Sequence, residues 1–242
     1  YGQRHFGFEI VGVQGFIYYY AVVPIALVEV VKQAVNSAYP TARLEEVAEH
    51  NIFNKVGKLN AVAGGELNLK ESYAYPIATY QDMKRDAMQS LLNALSGLGK
   101  EDGVGIQILL RPADPAWRKV ASGIASKKRK NGNKGTGAMD TIDAGGWMRS
   151  FGTALFKPPE HNPKDGPKEK PELSNMDQQT LDAIDEKTRY AGYETLIRVV
   201  SSSNVVHQSQ TFLNSVVSSF SLYDLPSKNG FKFVPAKDAQ KL

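Results

Sequence analysis

Apolar and polar positions alternate most clearly in the stretch from Gly105 to Ser126 and just before it. Val104, Ile106, Ile108 and Leu110 fall on one side of an extended chain, and Leu109 makes the other side partly apolar. That mix predicts a central strand covered on both faces. Pro112 ends it, having no N–H for a ladder. Asp114 stands where a helix N-cap belongs, with Pro115 at the first helical position. Trp117, Val120, Ala121 and Ile124 then form a stripe at helical spacing.

The same reading applies along the chain. Phe6 to Val13 and Phe16 to Val23 read as adjacent strands joined by a tight turn at Gln14-Gly15. Pro24 opens a helix to about Tyr39, with Leu27, Val30 or Val31, Ala34, Val35 and Ala38 as its buried stripe. Ala42 to Val47 reads as a short strand, Asn51 to Gly65 as a loop, and Glu66 to Tyr75 as a strand. A helix is expected from about Gln81 to Leu98, stopped by Gly97 and Gly99. From Phe16 to Arg111 the order is β-α-β-β-α-β, a ferredoxin-like arrangement. Asn175 to Lys187 reads as a polar helix and Tyr193 to Ser201 as a strand. Asn204 reads as the cap of a helix to Phe220, and Phe231 to Val234 as a last strand.

The expected class is therefore α+β. Residues 1–126 form a ferredoxin-like domain. Residues 127–173 hold a basic loop, a short apolar segment and a Pro/Lys-rich linker. Residues 174–242 form a second, related α/β segment packing on the first.

Composition narrows the chemistry. The chain has 242 residues, a net charge of +4 and no cysteine, which excludes disulfides, thiolate metal sites and a cysteine nucleophile. It opens on Tyr1 and reads as a trimmed piece of a longer protein. The apolar run Phe16–Val31 falls short of the ~20 residues of a spanning helix, and Pro24 and Glu29 interrupt it.

No phosphate-binding glycine loop of the G-x-x-x-x-G-K-[ST] form is present. Gly132 to Gly137 lacks its spacing and flanking elements. His5, His50, His161 and His207 have no histidine partner at i+3 or i+4. Glu45, Glu46 and Glu49 beside His50 read as a solvated acidic face, as do Asp182, Asp185 and Glu186. Ser201 to Ser203 lack a nucleophile elbow. No catalytic residue, metal or cofactor is expected.

Two clusters remain as candidate contacts. Lys127, Lys128, Arg129 and Lys130, with Lys134, read either as a solvated, mobile basic loop or as a contact for phosphate on nucleic acid or lipid. Trp147, Met148 and Phe151, with Leu155, read either as a short core helix or as a surface for a partner or membrane interface. The aromatic run Ile17 to Tyr20 reads as sheet packing, with base stacking as the alternative.

Several stretches together resemble a known family. They are FEIVGVQGFIYYYAVVPIALVEVVKQAVNSAYPTARLEEV, YAYPIATYQD, GIQILLRPADPAWRKVASGIA, YETLIRVVSSS and the late NGFKF. The shared signals are a P-x-x-L helix after an aromatic strand, an A-Y-P turn and an I-L-x-R-P-A…W unit. They are similar to the non-catalytic N-terminal region of conjugation-type (type IV secretion) ATPases. The resemblance implies a cytoplasmic assembly domain, peripheral to the inner face of the membrane. Its implied partners are further copies of itself, a downstream ATPase domain and membrane proteins of the secretion channel. It carries over no catalytic residue. A nucleic-acid-binding module using the basic loop is the alternative function.

Overall fold

The computed structural model describes residues 5–47, 61–131 and 173–237. Two strands, β1 (Phe6–Val13) and β2 (Phe16–Val22), form the expected hairpin. Its two-residue turn has φ of 53° at Gln14 and 79° at Gly15, the double positive φ of a type I′ turn. A single 3-10 turn (Ile25–Leu27) leads to helix α1 (Val28–Ala38). Then follow β3 (Ala61–Leu69), α2 (Ala87–Ser96), β4 (Gly103–Pro112), α3 (Trp117–Asn131), α4 (Asn175–Arg189), β5 (Tyr193–Ser203), α5 (Val206–Ser219) and β6 (Phe231–Pro235).

The fold is α+β. All six strands join one sheet in the order β2-β1-β4-β5-β3-β6, with every neighbouring pair antiparallel. The β-α-β-β-α-β arrangement is present, but different strands make it. It runs β3-α2-β4-β5-α5-β6, and its four strands lie in the order β4-β5-β3-β6. The β1–β2 hairpin extends this unit at the β4 side. Residues after 174 therefore do not pack on a finished domain: β5 enters between β4 and β3 and completes the sheet.

Three local readings are corrected. Residues 42–47 are irregular and pair with no described strand. Residues 61–65 are strand rather than loop. Gly65 is needed for close approach: a Cβ there would lie 2.2 Å from the Val234 carbonyl oxygen and 2.6 Å from the Phe233 ring. Asn204 does not cap α5. It donates to Glu101 at 3.2 Å, and Val205 is the N-cap, with no side-chain bond. Asp114 does accept from the Ala116 N–H at 2.8 Å, as its position predicted.

One face of the sheet carries the main core. Ile10, Leu67, Val104, Ile106, Ile197 and Val199 alternate along their strands and meet Leu91, Leu95 and Leu98 from α2 and its end, and Leu213, Val216 and Phe220 from α5. Phe220, Tyr223 and Phe231 close one end, with ring centroids 5.7–6.1 Å apart. A polar row crosses the other face in register: Glu9, Gln107, Arg198 and Glu66 on β1, β4, β5 and β3. Gln107 donates to Glu9 at 2.7 Å, and Arg198 pairs with Glu66 at 3.2 Å. A slip of one residue in any of these strands would break the row and turn its apolar positions away from the helices.

Helices α3 and α4 pack on each other in a second core of Ala121, Ala125, Leu181 and Ile184, with Ala74 from the loop after β3. Asn229 anchors that loop to the sheet. Its buried amide accepts from the N–H groups of Glu71 and Gly230 and donates to the carbonyls of Glu71, Ser72 and Tyr75. Its own N–H donates to Pro76 at 2.7 Å.

Candidate docking surface

The two outer strands of the sheet are unlike. β6 is five residues long and carries Lys232 and Pro235, both of which discourage a further strand. β2 reads Phe-Ile-Tyr-Tyr-Tyr-Ala-Val, with neither charge nor proline. No charged side chain occurs between Glu9 and Glu29. In a two-residue hairpin the closing pair Val13–Phe16 exchanges hydrogen bonds, so Phe16, Tyr18, Tyr20 and Val22 point their backbone groups at β1. The backbone groups of Ile17, Tyr19 and Ala21 point outward, where no strand pairs with them among the described residues.

The side chains around this edge are apolar and exposed. Phe16 is 65% exposed, Tyr19 61%, Val22 53% and Ile25 93%. Ile17 differs: it is half-buried and packs on the main core. Tyr20 packs on Val11 and Val13. Burial, then Tyr18 and Glu9, raise the Tyr20 hydroxyl above its ordinary pKa.

Helix α1, which follows β2 in the chain, also carries exposed apolar residues. Its amphipathic stripe was expected to be buried, yet no residue of α1 is buried, and Val30 is 60% exposed. Leu27, Val31 and Val35 are half-buried, so the stripe is only partly covered. Lys32 ties α1 to the following segment, meeting Glu29 at 3.0 Å and Glu46 at 2.5 Å. Those two bonds, Glu46 first, raise the Lys32 pKa, and Lys32 in turn lowers that of Glu46. Arg43 and Glu45 also pair, at 2.7 Å. The acidic cluster is a set of surface ion pairs where it is described.

The basic run is placed differently from the sequence reading. Lys127 to Lys130 are the last turns of α3, not a loop. Lys128 pairs with Asp177 at 2.9 Å, and Arg129 pairs with Asp185, both on α4. The bond from Ser174, then the one from Lys128, hold the Asp177 carboxyl below the ordinary range. Two of the four cations thus join α3 to α4, while Lys127 and Lys130 remain exposed. Lys134, Trp147, Met148 and Phe151 lie outside the described residues.

Among the described residues no group of three or more His, Asp or Glu is placed to hold a metal. A cavity of about 350 Å³ between His5, Leu109, Arg111, Glu194 and Leu196 has Arg111 and Glu194 paired with each other. Lys187 on α4 donates to the Tyr73 and Tyr75 carbonyls at 2.7 and 3.4 Å. Burial holds its ammonium below the ordinary value of 10.5. The unfolded chain then binds that proton more tightly, so stability rises with pH between the lowered value and 10.5. The melting temperature of the wild type relative to Lys187→Met is expected to climb as pH is raised towards 10.5, in paired thermal melts. A flat difference would contradict the burial of this charge.

The fold thus defines an α+β domain whose β2 edge is apolar and pairs with no strand among the described residues. The chain belongs to a family described as a domain of unknown function (DUF8128), whose model matches residues 3–241. No curated protein and no solved structure matches the chain. Among the described residues no helix is long and apolar enough to cross a membrane.

Proposed function

We infer that this chain is a non-catalytic assembly and docking domain of a conjugation-type (type IV secretion) ATPase. The observation that carries the docking role is the uncharged outer edge of β2, flanked by the exposed side chains of Phe16, Tyr19 and Val22. The resemblance of the five stretches quoted above supports the identity of the machine. In this reading the domain itself turns over no nucleotide. A downstream ATPase domain does so, and the domain joins it to further copies and to membrane proteins of the channel from the cytoplasmic side. The pairing of Lys128 and Arg129 with Asp177 and Asp185 favours docking over a nucleic-acid module built on the basic run.

The test is to sequence the parent reading frame beyond Leu242 and to assay the purified chain for phosphate release from ATP. The expected result is a phosphate-binding glycine loop followed by an acidic strand downstream, with no ATP turnover by the chain alone. A frame without those motifs, or ATP hydrolysis by the chain, would sink the motor assignment.

A further inference from the structure

We propose that the docking edge takes a second copy of this chain, with two β2 strands pairing antiparallel about a two-fold axis at Tyr19. The inference deepens the docking role and rests on it.

Three observations lead there. The outward backbone groups belong to Ile17, Tyr19 and Ala21, which are spaced symmetrically about Tyr19. A two-fold axis at Tyr19 places it opposite its own copy and Ile17 opposite Ala21. Every outward N–H then meets an outward carbonyl, so the edge is complementary to itself, as a two-fold interface requires. The second observation is the asymmetry of protection: β6 carries Lys232 and Pro235, and β2 carries nothing that would repel a strand. The run between Glu9 and Glu29 brings no charge to the axis, so no like charges oppose each other there.

The third is area. At roughly 150–250 Å² per aromatic side chain, the exposed fractions of Phe16, Tyr18 and Tyr19 offer about 300–400 Å². A stable interface takes about 800 Å² from each partner. The strand alone falls short by about half. The remainder is assigned to the exposed Ile25, Val30 and Tyr39, which follow β2 in the chain. With them the interface sits at the weak end of the standard range, so association is expected to depend on concentration.

The chain has no cysteine, so one introduced residue reports the pairing. Opposed residues in such a pair have Cα atoms about 5.5 Å apart, within reach of a disulfide. Tyr19→Cys is expected to cross-link into a dimer under mild oxidation, and Lys232→Cys on the other edge is not. Sedimentation velocity should show concentration-dependent dimers for the wild type and for Tyr19→Phe. Tyr19→Lys sets two like charges on the axis and should weaken association at least tenfold, with little change in melting temperature because Tyr19 is exposed. A monomer at every concentration, or dimers of equal strength in Tyr19→Lys, would overturn the proposal. So would dimers in which Tyr19→Cys stays uncrosslinked. If that happens while the parent frame carries the motor motifs, the two-fold pairing fails and the docking role stands, with a different occupant on β2.

Discussion

Replacing Gly65 by valine is expected to lower the melting temperature by about 5–10 °C and to loosen β6. Gly65 lies in β3 opposite Pro235, and even a methyl group there would sit 2.2 Å from the Val234 carbonyl oxygen and 2.6 Å from the Phe233 ring. The obstruction is backbone, which cannot rotate away as a side-chain tip does. Either β6 moves off β3 or Phe233 leaves its place against the main core. Overpacking of this kind costs about 1–3 kcal/mol, occasionally more. One kcal/mol shifts a chain of this size by roughly 2–4 °C. Gly123→Ala is the control. A Cβ there meets nothing within 4 Å, and the position is inside α3, so that change should stabilise by about 0.5–1 kcal/mol. Equal thermal melts for Gly65→Val and the wild type would mean that β6 is not seated on β3 as described.

Asn229→Ala is the second large effect. The removed amide serves two N–H groups and three carbonyls, and it is fully buried. Water has no ready way to replace it, so the loss should cost about 2–4 kcal/mol, the desolvation penalty of groups left without partners. The damage should spread in one direction. The loop after β3 holds Ala74 in the α3–α4 core, and its Tyr73 and Tyr75 carbonyls receive Lys187. Hydrogen exchange should therefore accelerate in α3 and α4 more than in α2 and α5, with a lower urea midpoint. Uniform acceleration would show that the loop does not join the two cores.

Much of this fold was legible locally. Strands β1, β2, β4, β5 and β6 and helices α1, α3, α4 and α5 fall close to where periodicity put them, because burial on one face leaves a period of two or of 3.6; α2 starts at Ala87 rather than Gln81, and β3 ends at Leu69 rather than Tyr75. What periodicity cannot carry is partnership across distance. β5 enters the sheet between β4 and β3, and its neighbour β4 is separated from it by residues 113–192. The ferredoxin-like order was therefore read one unit too early. Ala42 to Val47 has a strand's composition, but Leu44 and Val47 are exposed and pair with no described strand.

The docking surface was half legible. The uncharged run and the stripe of α1 were visible, and both were assigned to the interior. An amphipathic pattern says which side of a helix seeks cover, not whether the same chain provides it. The basic run was misplaced for a related reason. Four like charges before a glycine-rich stretch suggest a loop, while the acids that hold two of them in a helix, Asp177 and Asp185, come from α4.

The measurement closest to the central claim is amide hydrogen exchange along β2 as protein concentration is raised from well below to well above the association range. Docking through this edge predicts that the N–H groups of Ile17, Tyr19 and Ala21, which face away from β1, exchange fast when dilute and become protected when concentrated. The outer N–H groups of β6 should stay fast throughout. Fast exchange at all three β2 positions at every concentration, with the rest of the sheet protected, would contradict self-docking through β2.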